Sequence, residues 1–389
     1  METVLENVAG RARLGGVTMA AAYHHGRDVF PHNPHRRVHF LEGGVVFFRP
    51  DAARYRGLRL QPQRSRLCAS SDVLADLCCA ASARALRVRA WTVFLHNYTL
   101  GEAHPDCACR NAFGDAYLTD LCPANPEVRA YVHALTADVA ARGVAAVAAE
   151  SLHYHGLEHG FHHERYFIEL GPLGRYLLGL CFCDHCLAAG RRHGVQAARL
   201  RDEARRELER RFAAEPEPEP PDLVREQVEG FAGGELAAYL EARAETVASL
   251  VGEAAEAAAG EGAGLAFIDL SGAVKGYATG RPQGDPAVAI SWQFGIDHAR
   301  VAAACGQVEA IGYAADPGRL QLDLEAYRSA IGQQRLSVIL RPMAPDSDSP
   351  GNLAAKLEVA RRLGVAEAGF YHYGFMRLES LDLIQSALG

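Results

Sequence analysis

The chain has 389 residues, of which 49% are hydrophobic and 22% are charged, and its formal net charge is −7 with an isoelectric point near 6.2. This balance is typical of a globular protein with a large core. It provides no basic stripe for nucleic acid or an anionic membrane, so neither is expected as a partner.

The N-terminal stretch "METVLENVAGRARLGG" has no apolar run of signal-peptide length, and no apolar run elsewhere is long enough to span a bilayer. The sequence therefore predicts a cytoplasmic protein. In that reducing compartment, the ten cysteines are expected as free thiols or metal ligands instead of disulfides.

Eight short apolar runs alternate with helix-like segments along the chain. Most are continuous, which is typical of parallel strands covered on both faces. They predict an α/β fold, a single (β/α)8 TIM barrel over residues 1–389. A doubly wound sheet is the alternative, but no G-x-G-x-x-G follows any run. The runs are "GVTMAAAY" from Gly16, "GGVVFFRP" from Gly43, "LRVRAWTVFLHN" from Leu86, "VAAVAAES" from Val144, "GLAFIDLS" from Gly264, "QVEAIGYA" from Gln307, "LSVILRPM" from Leu336 and "EAGFYHYG" from Glu367.

The interval between the fourth and fifth strands is too long for one helix. We expect an extended loop and a helical insertion over residues 151–262, within the barrel domain. The segment contains a cysteine cluster, two charged or alanine-rich helices, and the run "EPEPEPPD", which is typical of a stiff, solvated spacer.

Polar and aromatic residues follow most of the predicted strands. In a barrel, the carboxyl ends of the strands carry the chemistry. Aromatic faces can cover the C–H face of a sugar while polar groups bind its hydroxyls, so this set predicts a site for a small carbohydrate. The candidate substrate-binding residues at the strand ends are His24, His25, Trp91, His96, Asn97, Tyr313, Arg341 and His372.

The segment "SLHYHGLEHGFHHERY" after the fourth strand is rich in histidine. We expect a substrate-binding loop that includes His153, His155, His163 and Glu164. A transition-metal site is the alternative, although the spacing is not that of H-E-x-x-H and no clear helix carries it.

Glu150 ends the small, apolar fourth strand and is the first candidate for catalysis. A carboxyl group at a buried strand end is expected to have a raised pKa, as a general acid requires. Asp269, at the end of the next strand, is the candidate second carboxylate. Adjacent strand ends are compatible with either retaining or inverting hydrolysis, and Asp269 could instead cap the following loop.

The segment "CFCDHC" from Cys181 places three cysteines within six residues. A structural Zn²⁺ needs four ligands, so a fourth must come from elsewhere. Cys107, Cys109 and Cys122 lie upstream, and Cys122 falls in the loop after the third strand. Loops of neighbouring strands are themselves neighbours, so a bridge between them is geometrically easy.

These segments together resemble the glycoside hydrolase family 42 β-galactosidases. The resemblance rests on "LCPANPEVR", on Glu150, and on "CFCDHC", and is convincing over residues 86–190. It implies that Glu150 is the acid/base. It also implies that zinc is held by Cys122, Cys181, Cys183 and Cys186. The chain also resembles poorly characterised barrels that are described as hypothetical glycosyl hydrolases.

Two departures limit what the resemblance implies. Ala149 stands where the family has asparagine, and the end of the seventh strand offers Arg341 where the family has its nucleophilic glutamate. The favoured hypothesis is therefore a glycoside hydrolase-like enzyme of unspecified sugar, with Glu150 as acid/base, Asp269 as the second carboxylate and a structural zinc. Arg341 could instead clamp an anionic substituent such as a uronate or a phosphate. The alternatives are a sugar-binding barrel that has lost turnover and a metal-dependent enzyme that uses the histidine loop. The sequence does not decide whether the protein forms a homo-oligomer.

Overall fold

The protein is described from a computed structural model that covers residues 1–157, 165–220, 222–271 and 279–389. It is a mixed α/β fold built on one large, mostly parallel sheet. The strands of the described residues are β1 (Gly16–Tyr23), β2 (Gly26–Val29), β3 (Val38–Leu41), β4 (Val45–Val46), β5 (Gln63–Arg64), β6 (Arg87–Val93), β7 (Ala108–Arg110), β8 (Ala116–Leu121), β9 (Ala146–Glu150), β10 (Gly264–Asp269), β11 (Gln307–Ile311), β12 (Arg335–Leu340) and β13 (Glu367–Phe370).

Helices follow most of these strands, and several begin at a sequence-encoded cap. Asn125, Asp316 and Ser349 each precede a proline, and each accepts backbone N–H groups of the first helical turn. The α-helices are α1 (Glu2–Glu6), α2 (Val73–Ser82), α3 (Tyr98–Ala103), α4 (Pro126–Ala140), α5 (Gly171–Gly179), α6 (Asp184–Arg192), α7 (Ala197–Ala213), α8 (Arg225–Glu229), α9 (Glu235–Gly260), α10 (His298–Cys305), α11 (Pro317–Ile331), α12 (Pro350–Arg362) and α13 (Glu379–Leu388).

The main sheet has nine strands in the order β13-β12-β11-β10-β9-β6-β1-β4-β5. From β13 to β1 every neighbouring pair is parallel. Two separate antiparallel pairs, β2 with β3 and β7 with β8, lie outside it. Strands β10 and β12 are buried along all but their first residue, as continuous apolar runs predict.

The sheet is strongly curved around a common interior. Arg89 of β6 donates to Glu309 of β11, with Nη1 3.1 Å from Oε1, although β9 and β10 lie between these strands. In a flat sheet, three strand spacings would separate them by about 14 Å. The hydroxyls of Tyr23 and Tyr371, at the ends of β1 and β13, lie 3.2 Å apart. The carboxyl ends of the strands therefore form a ring around one mouth.

The expectation of a closed eight-stranded barrel needs correction. All eight predicted strands are present, but β13 and β1 exchange no backbone hydrogen bond within the described ranges. The predicted second strand is only Val45–Val46. It pairs antiparallel with β1, on the side opposite β6. The β2–β3 hairpin joins β1 to β4 without a crossover helix, and a parallel connection requires such a crossover. The fold is barrel-like without backbone closure.

The interval between β9 and β10 holds helices α5 to α9. The 26-residue helix α9 packs against α4 and α10, so it continues the helical layer around the sheet, and α6 packs on it. Among helices of the described residues, none has the length and apolar character to cross a membrane.

Candidate functional site

Glu150 lies at the carboxyl end of β9, where the strand leaves the sheet. It is 7% exposed, and its carbonyl accepts a hydrogen bond from the backbone of Phe94. Ser151 follows in the left-handed region, with φ 56°, which turns the chain sharply after the carboxylate. Trp91 of the adjacent strand β6 donates its indole N–H to Glu150 Oε2. The carboxyl group is thus held by two neighbouring strands.

Burial raises the pKa of Glu150 above its ordinary value, although the charge of His24 and the Trp91 hydrogen bond act against this rise. Burial disfavours the charged carboxylate, and nearby positive charge and donated hydrogen bonds favour it. A carboxyl group whose pKa is raised in this way holds its proton more readily than an exposed one, as a general acid requires.

Aromatic side chains from four strand ends surround this carboxyl group. The ring of Tyr371 lies 5.6 Å from that of Trp91 and 5.8 Å from that of Tyr313, and its hydroxyl reaches Tyr23. Burial raises the pKa of Tyr23, Tyr313 and Tyr371, and the charge of Glu150 adds to the rise. These hydroxyls are therefore neutral donors and acceptors, and the rings are apolar faces beside the acid.

A chain of imidazoles forms another side of the site. Ring centroids are 5.5 Å apart for His24 and His96, 5.8 Å for His96 and His155, and 5.1 Å for His153 and His155. His25 lies 6.3 Å from His96. The charges of His24, His96 and His155 act on Glu150. The structure thus brings these predicted histidines together with Glu150 and Trp91.

Backbone carbonyls fix the tautomers of two of these histidines. His24 Nδ1 lies 2.7 Å from the carbonyl of His25, and His153 Nδ1 lies 2.6 Å from the carbonyl of Tyr154. A carbonyl only accepts, so Nδ1 is the donor in both rings. Burial lowers the pKa of His153 to about 4, so this ring is neutral at physiological pH.

Asp120 joins the site although the sequence analysis did not select it. Its Oδ1 lies 3.4 Å from His96 Nδ1 and 3.2 Å from His155 Nδ1. Burial opposes the charge, but the two imidazoles, His155 first, hold the pKa of Asp120 well below its usual range. Asp120 lies in the β7–β8 hairpin, two residues before Cys122, and no motif distinguished it from an ordinary polar strand residue.

Asp269 occupies a different environment at the end of β10. Its carboxylate is fully buried and accepts hydrogen bonds from the backbone and hydroxyl of Ser271, from Ser291, from His298 and from Tyr327. Burial raises its pKa, but His298 and the other donors outweigh this and hold the pKa well below its usual range. These partners come from the helical layer and from loops, and no described contact joins Asp269 to Glu150.

The remaining predicted residues have contacts of several kinds. Asn97 caps α3 and donates to the carbonyl of Gly44. Arg341 makes two hydrogen bonds to Asp346 and lies 4.4 Å over the ring of Tyr313. His372 packs on Phe375, and burial lowers its pKa to about 4. The predicted His163 and Glu164 lie outside the described residues.

The four predicted cysteines form a buried group that can hold a metal ion. Their sulfur atoms all lie within 4.8 Å of one another. Cys122 Sγ is 3.4 Å from Cys186, 3.5 Å from Cys183 and 4.0 Å from Cys181. Tetrahedral Zn–S bonds of about 2.3 Å place the sulfurs about 3.8 Å apart, so these thiols fit such an ion. The backbone N–H of Arg110 also donates to Cys181 Sγ at 3.3 Å.

No family model and no curated protein sequence matches the chain. Solved structures do. Over 100% of this chain, the β-galactosidase from the psychrophilic Marinomonas ef1 gives a TM-score of 0.56 at 12% identity, and the β-galactosidase from Rahnella sp. R3 gives 0.55 at 11%. The α-L-fucosidase isoenzyme 2 from Paenibacillus thiaminolyticus gives 0.54 at 10%, also over 100% of the chain.

The chain has a glycosidase-like fold. At these identities the likeness establishes the fold alone. The chain also spans about half of the length of these proteins, covering 56%, 53% and 45% of them respectively.

The geometry at the mouth defines what the site can do. A buried carboxyl group with a raised pKa lies beside aromatic faces, neutral hydroxyls and imidazoles with fixed tautomers. Such a group can donate a proton to a leaving oxygen, while the surrounding rings and donors hold a polyhydroxylated ligand.

Proposed function

We propose that the protein is a carbohydrate-active enzyme, a glycoside hydrolase that acts on a small glycoside with Glu150 as its proton donor. One observation carries this proposal: Glu150 is buried at the strand end, hydrogen-bonded to Trp91, and its pKa is raised by burial. The glycosidase-like fold of the chain supports it.

In the proposed mechanism, protonated Glu150 gives its proton to the glycosidic oxygen as the bond to the sugar carbon breaks. Trp91 then stabilises the resulting carboxylate through its N–H, since a donated hydrogen bond favours the charged form. Tyr371 and Tyr313 offer rings that pack on the sugar, and His24 and His96 offer donors and acceptors for its hydroxyls.

A conventional retaining glycosidase has a second carboxylate as its nucleophile, and this site differs in that respect. The end of β12 provides Arg341, which is engaged by Asp346, instead of a carboxylate. The donors around Asp269 favour a role in holding β10 to the helical layer. The ion pair with Asp346 also argues against Arg341 as a clamp for an anionic sugar. In the proposed reaction, a water molecule attacks the sugar carbon as the glycosidic bond breaks, and an imidazole beside Glu150 accepts the proton that this water loses.

Zinc is proposed as a structural ion at Cys122, Cys181, Cys183 and Cys186. The all-sulfur donor set and its tetrahedral spacing support this choice. The ion would tie the end of β8 to the segment that begins α6. It takes no part in the proposed chemistry.

The experiment screens nitrophenyl glycosides, uronides included, and then compares the wild type with Glu150→Gln. Loss of a general acid is expected to lower turnover by about 10²- to 10⁴-fold for glycosides with poor leaving groups. Dinitrophenyl glycosides should lose much less, because their leaving groups need no proton. Glu127→Gln, at a half-buried glutamate on α4 that pairs with Arg59, is the matched control. An equal loss on both substrate types would reject Glu150 as the acid.

A sugar-binding protein without turnover is the second candidate, and the pairing of Arg341 with Asp346 favours it. It predicts saturable sugar binding by calorimetry with no product formed. In that case Glu150→Gln would change affinity only.

A further inference from the structure

Among the residues that the structure describes, Arg243 of α9 is a buried cation without an acidic partner. It is 2% exposed, and its Nη2 donates to the carbonyl of Gln293 at 3.0 Å. Its Nε and Nη1 atoms have no hydrogen-bond partner within the described ranges. None of the ion pairs in the described part of the chain includes Arg243, whereas Arg89 and Arg211, which are also buried, both bind glutamates.

The guanidinium of Arg243 lies over an aromatic ring that reaches the cysteine group. Its central carbon is 3.9 Å from the ring centroid of Tyr154, and the Tyr154 hydroxyl lies 3.3 Å from Cys186 Sγ. Gly295 packs against the same ring so closely that a Cβ there would lie 3.0 Å from it. Tyr154 therefore contacts the guanidinium of Arg243 with its ring and the sulfur of Cys186 with its hydroxyl, and all three groups are buried.

A buried cation needs a compensating negative charge, because desolvation of an isolated charge is strongly unfavourable. The face of the tyrosine ring supplies part of this compensation. Four neutral thiols supply no charge. Four thiolates around a divalent ion carry an excess of two negative charges, which lies just beyond the Tyr154 hydroxyl.

We propose that Arg243 is the buried counter-cation of a dianionic tetrathiolate metal centre and acts on it through Tyr154. Outer-sphere partners of this kind tune metal affinity. The inference rests on the zinc of the proposed function but not on glycoside hydrolysis. It also connects the two sites, since His153 of the imidazole chain donates to the carbonyl of Tyr154 at 2.6 Å.

The experiment measures zinc affinity of the purified full-length chain by competition with a colorimetric chelator. Arg243→Met should lose zinc at about 10- to 100-fold lower chelator concentration than the wild type. Arg243→Lys should retain most of the affinity because it keeps the charge. Arg300→Met, at an exposed arginine on the neighbouring helix α10, is the control and should match the wild type.

Melting temperatures measured with and without zinc distinguish an electrostatic role of Arg243 from a packing role. Arg243→Met should lower the melting temperature of the zinc-loaded protein more than that of the stripped protein, because only the loaded centre offers the counter-charge. An equal drop in both forms, with unchanged zinc affinity, would mean that Arg243 only packs, and would overturn the proposal.

Tyr154→Phe is the second variant, which keeps the ring and removes the contact with Cys186. It should weaken zinc binding less than Arg243→Met. If Arg243→Met does not fold, Tyr154→Phe decides, and unchanged affinity there overturns the proposal. Failure of the wild type to bind Zn²⁺ or Co²⁺ would remove the zinc of the proposed function as well. If the wild type binds zinc and Arg243→Met binds it equally well, only the role of Arg243 is rejected and the zinc site stands.

Discussion

The indole N–H of Trp91 donates to Oε2 of Glu150, from the neighbouring strand of the sheet. This contact stabilises the ionised carboxylate, whereas the burial of Glu150 destabilises it. The ring of Trp91 also lies 5.6 Å from Tyr371, so one side chain links the acid to the aromatic part of the mouth. The protonation state of Glu150 therefore depends on Trp91.

Trp91→Phe should raise the pKa of Glu150 further, because the variant removes a donor that favours the charged form. The high-pH limb of kcat/KM, which follows loss of the acidic proton, should move to higher pH. Carbon-13 NMR of the glutamate carboxyls measures the same shift without a substrate. Trp292→Phe, at the other tryptophan of the chain, should leave the profile unchanged. A downward shift in Trp91→Phe would contradict the assignment.

Asp120→Asn should change the protonation pattern of the imidazoles that Asp120 contacts, His96 and His155. The carboxylate lies 3.4 Å from Nδ1 of His96 and 3.2 Å from Nδ1 of His155, and an amide can donate as well as accept, so the tautomers of both rings should redistribute. We expect kcat to fall by about 10- to 100-fold with a smaller change in KM. Nitrogen-15 NMR of the histidines reports the tautomers. Asp106→Asn, an exposed aspartate, is the control. Unchanged tautomers together with unchanged kcat would assign Asp120 to structure alone.

The sequence predicted the position of Glu150 well because a strand end depends only on a local apolar run. The same reasoning placed Asp269 at a strand end, but its hydrogen bonds connect it to the helical layer. Alternate strand residues point to opposite faces, so a difference of one residue decides which face the carboxylate takes. Local pattern does not resolve that difference.

Two other features depend on long-range arrangement. Asp120 reaches His96 and His155 because the β7–β8 hairpin folds against the mouth, and no spacing in the chain encodes that contact. Strand β4 lies on the far side of β1 because the β2–β3 hairpin reverses the chain before it. Three cysteines of the group were predictable from the short spacing of "CFCDHC", whereas Cys122 was predicted from the family resemblance. The structure gathers Cys122 with the other three.

Cys183→Ser should lower the metal content from one ion per chain and reduce the melting temperature by several degrees. A structural ion contributes its binding energy to folding, and a serine hydroxyl is a poor substitute for a thiolate ligand. Elemental analysis by plasma mass spectrometry and differential scanning calorimetry measure the two effects. Cys78→Ser, at a half-buried cysteine outside the group, is the control. Unchanged metal content in Cys183→Ser would exclude the four-cysteine site.

Asp269→Asn should destabilise the protein by about 3 kcal/mol at neutral pH, because it removes a buried charge that several donors require. The folded-state pKa of Asp269 is depressed. Its contribution to stability is therefore full above the unfolded value of about 3.9 and is lost as pH falls toward the folded value. Urea unfolding at pH 7 and at about pH 3 should show the wild type and the variant converging in acid. Asp297→Asn, at the half-buried cap of α10, is the control and should cost about 1 kcal/mol or less at both pH values. If the difference in the free energy of unfolding between the wild type and Asp269→Asn stayed constant with pH, the carboxylate charge would not contribute to stability.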